Sequence, residues 1–155
     1  MAHPLFNYLK HWDQIAAHRP DAYIAISNTI KSRVQKYYGL DSEVIYPPVD
    51  IDIFSVNHEP ITHDYFLWVG RLVAYKRAQL IVETFNELKL PLVVIGLGSL
   101  AKKLQSIALG NIQLLGYLDE ARLASYYQNA RGLIFFHEED FGMVPVEAMA
   151  AGTPV

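Results

Sequence analysis

The chain has 155 residues, enough for about one ordinary domain. With 52% apolar and 19% charged residues it has a globular composition and not that of a disordered tail. A net charge of −3 lacks the basic excess that nucleic acid or an anionic membrane selects, and the absence of cysteine excludes a disulfide scaffold and a thiolate zinc site.

From Met1 to Pro20, apolar residues alternate with Lys10, His11, Asp13, His18 and Arg19. A secretory signal needs an uninterrupted apolar stretch and a small-residue cleavage site, and neither occurs here. Apolar runs such as Leu92–Ile95 and Leu133–Phe136 fall far short of the ~20 residues that cross a bilayer. These features lead to the expectation of a soluble, cytoplasmic chain.

Leu5, Tyr8, Leu9, Trp12, Ile15 and Ala16 recur every three or four residues, predicting a helix that ends before Pro20. Ala22–Ser27 predicts a short strand. Ser27 or Asn28 then caps a helix over Thr29–Tyr38, which Gly39 stops. Val44-Ile45-Tyr46 and the stiff Pro47-Pro48 pair follow. Val49–Ile61 has no periodicity and reads as a linker.

The remainder is regular. Tyr65–Val69 predicts a strand closed by Gly70, and Gln79–Leu88 a helix. Leu92–Ile95 predicts a strand closed by Gly96, and Leu100–Leu109 a helix. Ile112–Leu115 predicts a strand closed by Gly116, and Asp119 caps a helix over Glu120–Ala130. Leu133–Phe136 predicts a strand, and Val144–Ala151 a short helix stopped by Gly152. Alternating helices and continuously apolar strands predict a Rossmann-like, doubly wound α/β domain with a parallel sheet. Thr153-Pro154-Val155 resembles the start of another strand, and the first block has apolar faces without a core, so the expectation is a chain truncated at both ends.

In such sheets the ligand lies outside the carboxyl ends of the strands. Four such ends carry unusual residues: Gly70-Arg71, Gly96-Leu97-Gly98, Gly116-Tyr117 and His137–Gly142. Arg71 and Lys76 offer the fixed positive charge that a diphosphate needs, although an arbitrary pair of this kind is more often two ordinary surface cations. Gly96 and Gly98 let a backbone approach a phosphate or a sugar, or simply make a turn. The dinucleotide-binding fingerprint is incomplete, which argues against a dehydrogenase-type domain.

The most informative segment is His137-Glu138-Glu139-Asp140-Phe141-Gly142-Met143-Val144-Pro145-Val146-Glu147. Pro145 is tolerated in the first turn of a helix, so Phe141–Val144 would present free backbone N–H groups to an anion. Glu147, in the first turns of that helix, can accept hydrogen bonds from two vicinal hydroxyls. Consecutive residues on an extended chain point to opposite sides, so the run His137 to Asp140 makes a poor metal site. Asp50-Ile51-Asp52 matches a metal-binding Asp-x-Asp only superficially, because it lies in the linker.

Glu139 and Glu147 are separated by seven residues, giving Glu-x7-Glu inside Glu-Asp-Phe-Gly-Met-Val-Pro-Val-Glu-Ala-Met-Ala-Ala-Gly-Thr-Pro-Val. With Val69-Gly70-Arg71-Leu72 leading to Lys76, and with Ile45-Tyr46-Pro47-Pro48-Val49-Asp50, this resembles the retaining GT-B glycosyltransferases, most closely glycosyltransferase family 4. The resemblance runs from about Asp21 to the last residue. It implies that residues 1–45 are the tail of an acceptor-binding domain, 46–62 the interdomain linker, and 63–155 an incomplete nucleotide-sugar-binding GT-B C-terminal domain.

The resemblance also implies the roles. Arg71 and Lys76 would hold the donor diphosphate, and Glu139 would approach the transferred sugar. Gly70, Gly96 and Gly98 would line the donor site. Phe141, Gly142, Met143 and Val144 would offer backbone to sugar or phosphate, and Glu147 would receive the ribose hydroxyls. Tyr117 and Leu118 would edge the nucleobase. The donor expected is a GDP-sugar first, mannose-like, and a UDP-sugar second, with no metal and no cofactor. A glycan or lipid-linked acceptor would be met through the other domain, membrane contact would arise only in a longer protein, and no nucleic acid is expected. The chain itself would bind donor without turnover. The rival reading is a nucleotide-sugar-binding or regulatory module with no catalytic task.

Overall fold

The computed structural model describes residues 4–54 and 64–155. Two compact units divide between Pro48 and Val49.

In the first unit, helix α1 (Pro4–Ala17), strand β1 (Ile24–Ala25), helix α2 (Asn28–Tyr38) and strand β2 (Glu43–Val44) follow the local signals. Ser27 caps α2 by accepting from the Ile30 N–H at 3.2 Å. Gly39 ends α2 at φ 71, the left-handed region open to glycine, and its N–H donates to the Gln35 carbonyl. Strands β1 and β2 pair in parallel, Ile24 with Glu43 and Ala25 with Val44. Hydrogen bonds from Tyr38 to Asp13 at 2.9 Å and from Gln14 to the Tyr37 carbonyl at 3.0 Å join α1 to α2.

The second unit opens with helix α3 (Ile51–Phe54) and then builds a parallel sheet: β3 (Tyr65–Val69), β4 (Leu92–Ile95), β5 (Ile112–Gly116) and β6 (Ala130–Leu133), in spatial order β5-β4-β3-β6. Helices α4 (Ala78–Leu88), α5 (Ala101–Ile107), α6 (Glu120–Gln128) and α7 (Met143–Ala150) complete it. Side chains alternate across the strands, as the two-residue period of a strand requires. Leu67, Val93, Ile95 and Leu133 pack on one face with Tyr127 of α6 and Ala148 of α7. Trp68, Leu92 and Val94 pack on the other with Val82 and Phe85 of α4 and Leu104 of α5. The sheet is therefore covered on both faces, as its continuously apolar strands predict.

The structure corrects several of the expected elements. The stretch expected as a linker contains α3, whose Phe54 is buried and stacks edge-on against Tyr127 at 5.8 Å; the Gln128 side chain also donates to the Phe54 carbonyl. Asp50 accepts from the Asp52 N–H at 3.1 Å at the start of this helix, so the Asp-x-Asp pair has a local capping task. Residues 55–61 of the expected linker lie outside the described residues. The last strand also comes earlier than expected: α6 ends at Gln128, and Ala130–Leu133 pairs with Tyr65–Leu67. Small residues suit that register, since Gly132 lies beneath the Phe66 ring and beside the Pro154 carbonyl. Phe135 and Phe136, which made the later run look strand-like, leave the sheet. Helix α5 likewise ends at Ile107, two residues short.

Among the described residues no helix is long and apolar enough to cross a membrane.

Candidate functional site

Strand order reverses beside β3: the chain moves outward through β4 and β5, then returns to place β6 on the other side. The carboxyl ends of β3 and β6 therefore flank the crevice where an open α/β sheet binds its ligand. Lys76 follows β3 by way of a single helical turn, Ala74–Lys76, and Glu139 follows β6. The two meet there as a hydrogen-bonded ion pair between Lys76 Nζ and Glu139 Oε1. Their side chains are 12% and 26% exposed, so the pair is only partly open to solvent.

A third member joins on the same oxygen. His137 Nε2 lies 2.7 Å from Glu139 Oε1, and the His137 side chain is only 2% exposed. His137 and Glu139 are two residues apart, the spacing that returns an extended chain to the same side. Burial works against ionising Glu139, but hydrogen bonds from Lys76 and His137 outweigh it and hold the carboxyl below its usual range.

Backbone geometry presents Lys76. Arg77 adopts a left-handed conformation at φ 55 between the turn and α4, and its guanidinium lies over the Phe136 ring at 5.6 Å. Gly70 sits between the Trp68 ring and the Lys76 stem; a β-carbon there would lie 3.2 Å from the first and 3.5 Å from the second. Lysine is thus laid across a glycine with tryptophan beneath it.

Beside this pair opens a cleft of about 500 Å³, lined by Gly70, Arg71, Gly96, Gly98, Tyr117 and Leu118 among others. The glycines have a demanding packing task. A β-carbon on Gly96 would fall 1.8 Å from the Gly70 carbonyl oxygen, and one on Gly98 would fall 2.3 Å from that of Leu72. Beyond the strands the loops remain knitted together, with the Leu72 N–H donating to the Leu97 carbonyl at 2.8 Å and the Leu100 N–H to the Leu72 carbonyl at 3.0 Å. The rim is therefore preorganised backbone. Arg71 and Lys76 have different partners: Arg71 donates to the Tyr75 hydroxyl at 2.9 Å, whereas Lys76 is held by Glu139.

Gly142, whose φ of 90 suits glycine, is the N-cap of helix α7 and has no side chain with which to cap it. The N–H groups of its first turn thus remain without an intrahelical partner, Met143 and Val144 included. Phe141 precedes this glycine. Glu147, in the middle of α7, is half-buried and accepts from the Tyr127 hydroxyl at 2.9 Å. Burial raises its carboxyl above the usual range, with the Tyr127 hydrogen bond opposing and the Glu120 charge assisting. Tyr127 is itself fully buried on α6, and its hydroxyl is raised, first by burial and then by the charge of Glu147.

Sequence reasoning missed the tasks of His137, Tyr127 and Tyr75. A buried tyrosine implies a hydrogen-bond partner, but nothing in the spacing connects Tyr127 to Glu147. His137 stands two residues before Glu139, which was the available signal. The assembled groups can stabilise negative charge through Lys76, Arg71 and a helix N-terminus, and can accept hydroxyl hydrogen bonds through two carboxylates.

The model of the protein family described as "Glycosyl transferases group 1" matches residues 50–155. The chain is 27% identical over 157 residues to the O-antigen chain mannosyltransferase C of Escherichia coli, covering 96% of this chain and 42% of that protein. It is 27% identical over 151 residues to an uncharacterized glycosyltransferase of Methanocaldococcus jannaschii, covering 94% of this chain and 42% of that one. The chain thus spans about two fifths of the length of these curated relatives. Among solved structures, HepE of Anabaena, in complex with UDP and glucose, superposes with a TM-score of 0.80 at 18% identity, over 94% of this chain and 47% of that one. TarM of S. aureus superposes with a TM-score of 0.77 at 18% identity, over 97% of this chain and 32% of that one. These two establish the shared fold, that of GT-B C-terminal Rossmann-like domains.

Proposed function

The chain belongs to the glycosyl transferases group 1 family, and on that premise we propose that its second unit binds the nucleotide-sugar donor of a retaining glycosyltransferase. The observation that carries this reading is the Lys76–Glu139–His137 cluster at the switch between β3 and β6, beside a cleft walled by glycine backbone. That cleft receives the nucleoside, with Tyr117 and Leu118 along the base. Arg71, Lys76 and the N–H groups of Gly142 and Met143 hold the diphosphate. Glu147 takes the ribose hydroxyls and Glu139 a hydroxyl of the transferred sugar.

Breaking the anomeric C–O bond leaves negative charge on the diphosphate and positive character on the sugar carbon. Arg71, Lys76 and the start of α7 answer the first without a divalent metal. In the resting chain Lys76 is neutralised by Glu139, so a bound diphosphate competes for its ammonium. The sugar is proposed to be mannose-like, which the mannosyltransferase relative supports, and GDP is the preferred nucleotide. UDP is the second choice, which the UDP complex of HepE supports. The acceptor is proposed to be a glycan or a lipid-linked saccharide.

Thermal melting of the chain with GDP, UDP, ADP and their sugars, with and without EDTA, tests the reading. A ligand at 100 times its dissociation constant stabilises by about 2.7 kcal/mol. No shift with any of these ligands would remove the donor-site reading, and a shift abolished by EDTA would remove its metal-free form.

A further inference from the structure

Glu139 lies in irregular chain between β6 and α7, so no strand or helix ladder fixes its backbone. The direction of its carboxylate therefore depends on its side-chain partners. One partner, Lys76, is a point charge on a flexible stem and can follow an oxygen without setting the carboxylate plane. The other is the His137 ring, which is planar, almost fully buried and packed on Phe135 with centroids 4.6 Å apart and planes at 46°. Phe135 is itself set beneath the start of α7, its ring tip 3.8 Å from where a side chain on Gly142 would begin. A chain of contacts thus runs from the helix start through Phe135 and His137 to Glu139.

The hydrogen bond also fixes which ring nitrogen donates. An ionised carboxylate only accepts, and Glu139 is held below its usual range, so His137 Nε2 carries the hydrogen of this bond. Nδ1 is buried and has no hydrogen-bond partner among the described residues. A buried polar atom left unmatched is uncommon and calls for an explanation. A ring chosen only to fill space would be apolar here; this one keeps an unmatched nitrogen while its other nitrogen reaches Glu139.

We propose that His137 is a positioning residue for Glu139: its Nε2–H and the Lys76 ammonium converge on Oε1 and leave Oε2 directed to the hydroxyl of the transferred sugar. This rests on the reading of Glu139 as the residue that meets that sugar.

The test compares affinities for GDP and GDP-mannose, and for UDP and UDP-glucose, by calorimetry on the whole chain. The sugar increment is the ratio within each pair. Asparagine places its amide where Nδ1 stands, and glutamine places its amide where Nε2 stands. His137→Asn is expected to lower the increment about ten-fold, as Glu139→Ala does, while His137→Gln keeps it within about two-fold; any gain in diphosphate affinity from freeing Lys76 is common to both ligands of a pair and cancels in the ratio. A normal increment in His137→Asn alongside a lost one in Glu139→Ala overturns the positioning role and leaves the donor site standing. No increment in the unmodified chain, or an unchanged one in Glu139→Ala, overturns the reading of Glu139 and the proposal with it. If His137→Asn fails to fold, nitrogen-15 NMR of the histidine rings in the unmodified chain decides. Hydrogen on Nε2 of His137 supports the proposal, and hydrogen on Nδ1 alone overturns it.

Discussion

The two units follow the same local rules and end in different places. Both contain a parallel pair of strands, capped helices and glycines at helix or strand ends. Yet in the first unit Ala25 is the one buried apolar residue among those described, and neither α1 nor α2 buries a side chain. In the second, Leu67, Trp68, Leu72, Val82, Leu92 and Leu104 are almost wholly enclosed. On α1, Leu5, Tyr8 and Trp12 are half or more exposed, although they have the spacing of a core-facing stripe. Amphipathic spacing makes a helix; it does not by itself supply what the helix packs against. Elements in the first unit therefore rest on caps and backbone hydrogen bonds, and those in the second on burial.

The largest expected contrast is between the two tryptophans. Trp68→Ala opens a cavity in a packed core and should cost about 3–5 kcal/mol in urea unfolding of the second unit. Trp12→Ala removes a side chain that is 51% exposed and should change stability by less than about 0.5 kcal/mol. Comparable losses would show that α1 is packed in solution and would break the contrast. Glycines give the next effect. Gly96→Ala drives a β-carbon into the Gly70 carbonyl and should cost about 3 kcal/mol, the upper end of overpacking, and distort the cleft. Gly39→Ala meets open space and carries only the left-handed penalty, about 1–2 kcal/mol.

Smaller effects sharpen the comparison. Ser27→Ala and Asp119→Ala each remove one side-chain cap, of α2 and α6 respectively, at about 1 kcal/mol. Because caps act locally, the two losses should be similar. Amide hydrogen exchange should differ nonetheless, fast in β1 and β2 and slowest in β4. Equal protection in both places would abolish the distinction between the units.

The pH dependence is expected to be smallest, and its signs differ by site. Asp41 is held low by its hydrogen bond from Lys31, and Glu139 by those from Lys76 and His137 after burial is offset. Both contribute stability above the ordinary carboxylate range that is lost as pH falls through their lowered values. Glu147 is raised, chiefly by burial, so its contribution is fullest below the ordinary range and declines as pH rises through the raised value. Urea midpoints across the acid range should therefore fall with acid less steeply in Glu139→Gln than in the parent. Glu147→Gln should remove the decline on the other side. Asp41 is exposed on a surface pair, so Asp41→Asn should have the smallest effect, and added salt should erase it first. Slopes of one sign for Glu139 and Glu147 would contradict their opposed environments.

The sequence by itself determined most elements of the second unit and the ends where chemistry gathers. Continuous apolar runs could only be strands covered on both sides, and glycines closed them because the rim brings backbone to within van der Waals contact of backbone. It also marked Glu139 and Glu147, through the family resemblance that their spacing carries. It misplaced β6, because Leu133–Phe136 is the more apolar run, whereas register against β3 selected the smaller Ala130–Leu133. It read α3 as linker, because four residues are too few to show a period and Phe54 finds its place only against Tyr127. Pairings between distant residues were decided by the tertiary structure alone. Lys76 and Glu139 stand 63 positions apart, and Tyr127 and Glu147 stand 20 apart. Local periodicity reports which way a side chain faces on its own element. Only the strand order, which returns β6 to the far side of β3, sets which two loop ends face each other across the crevice.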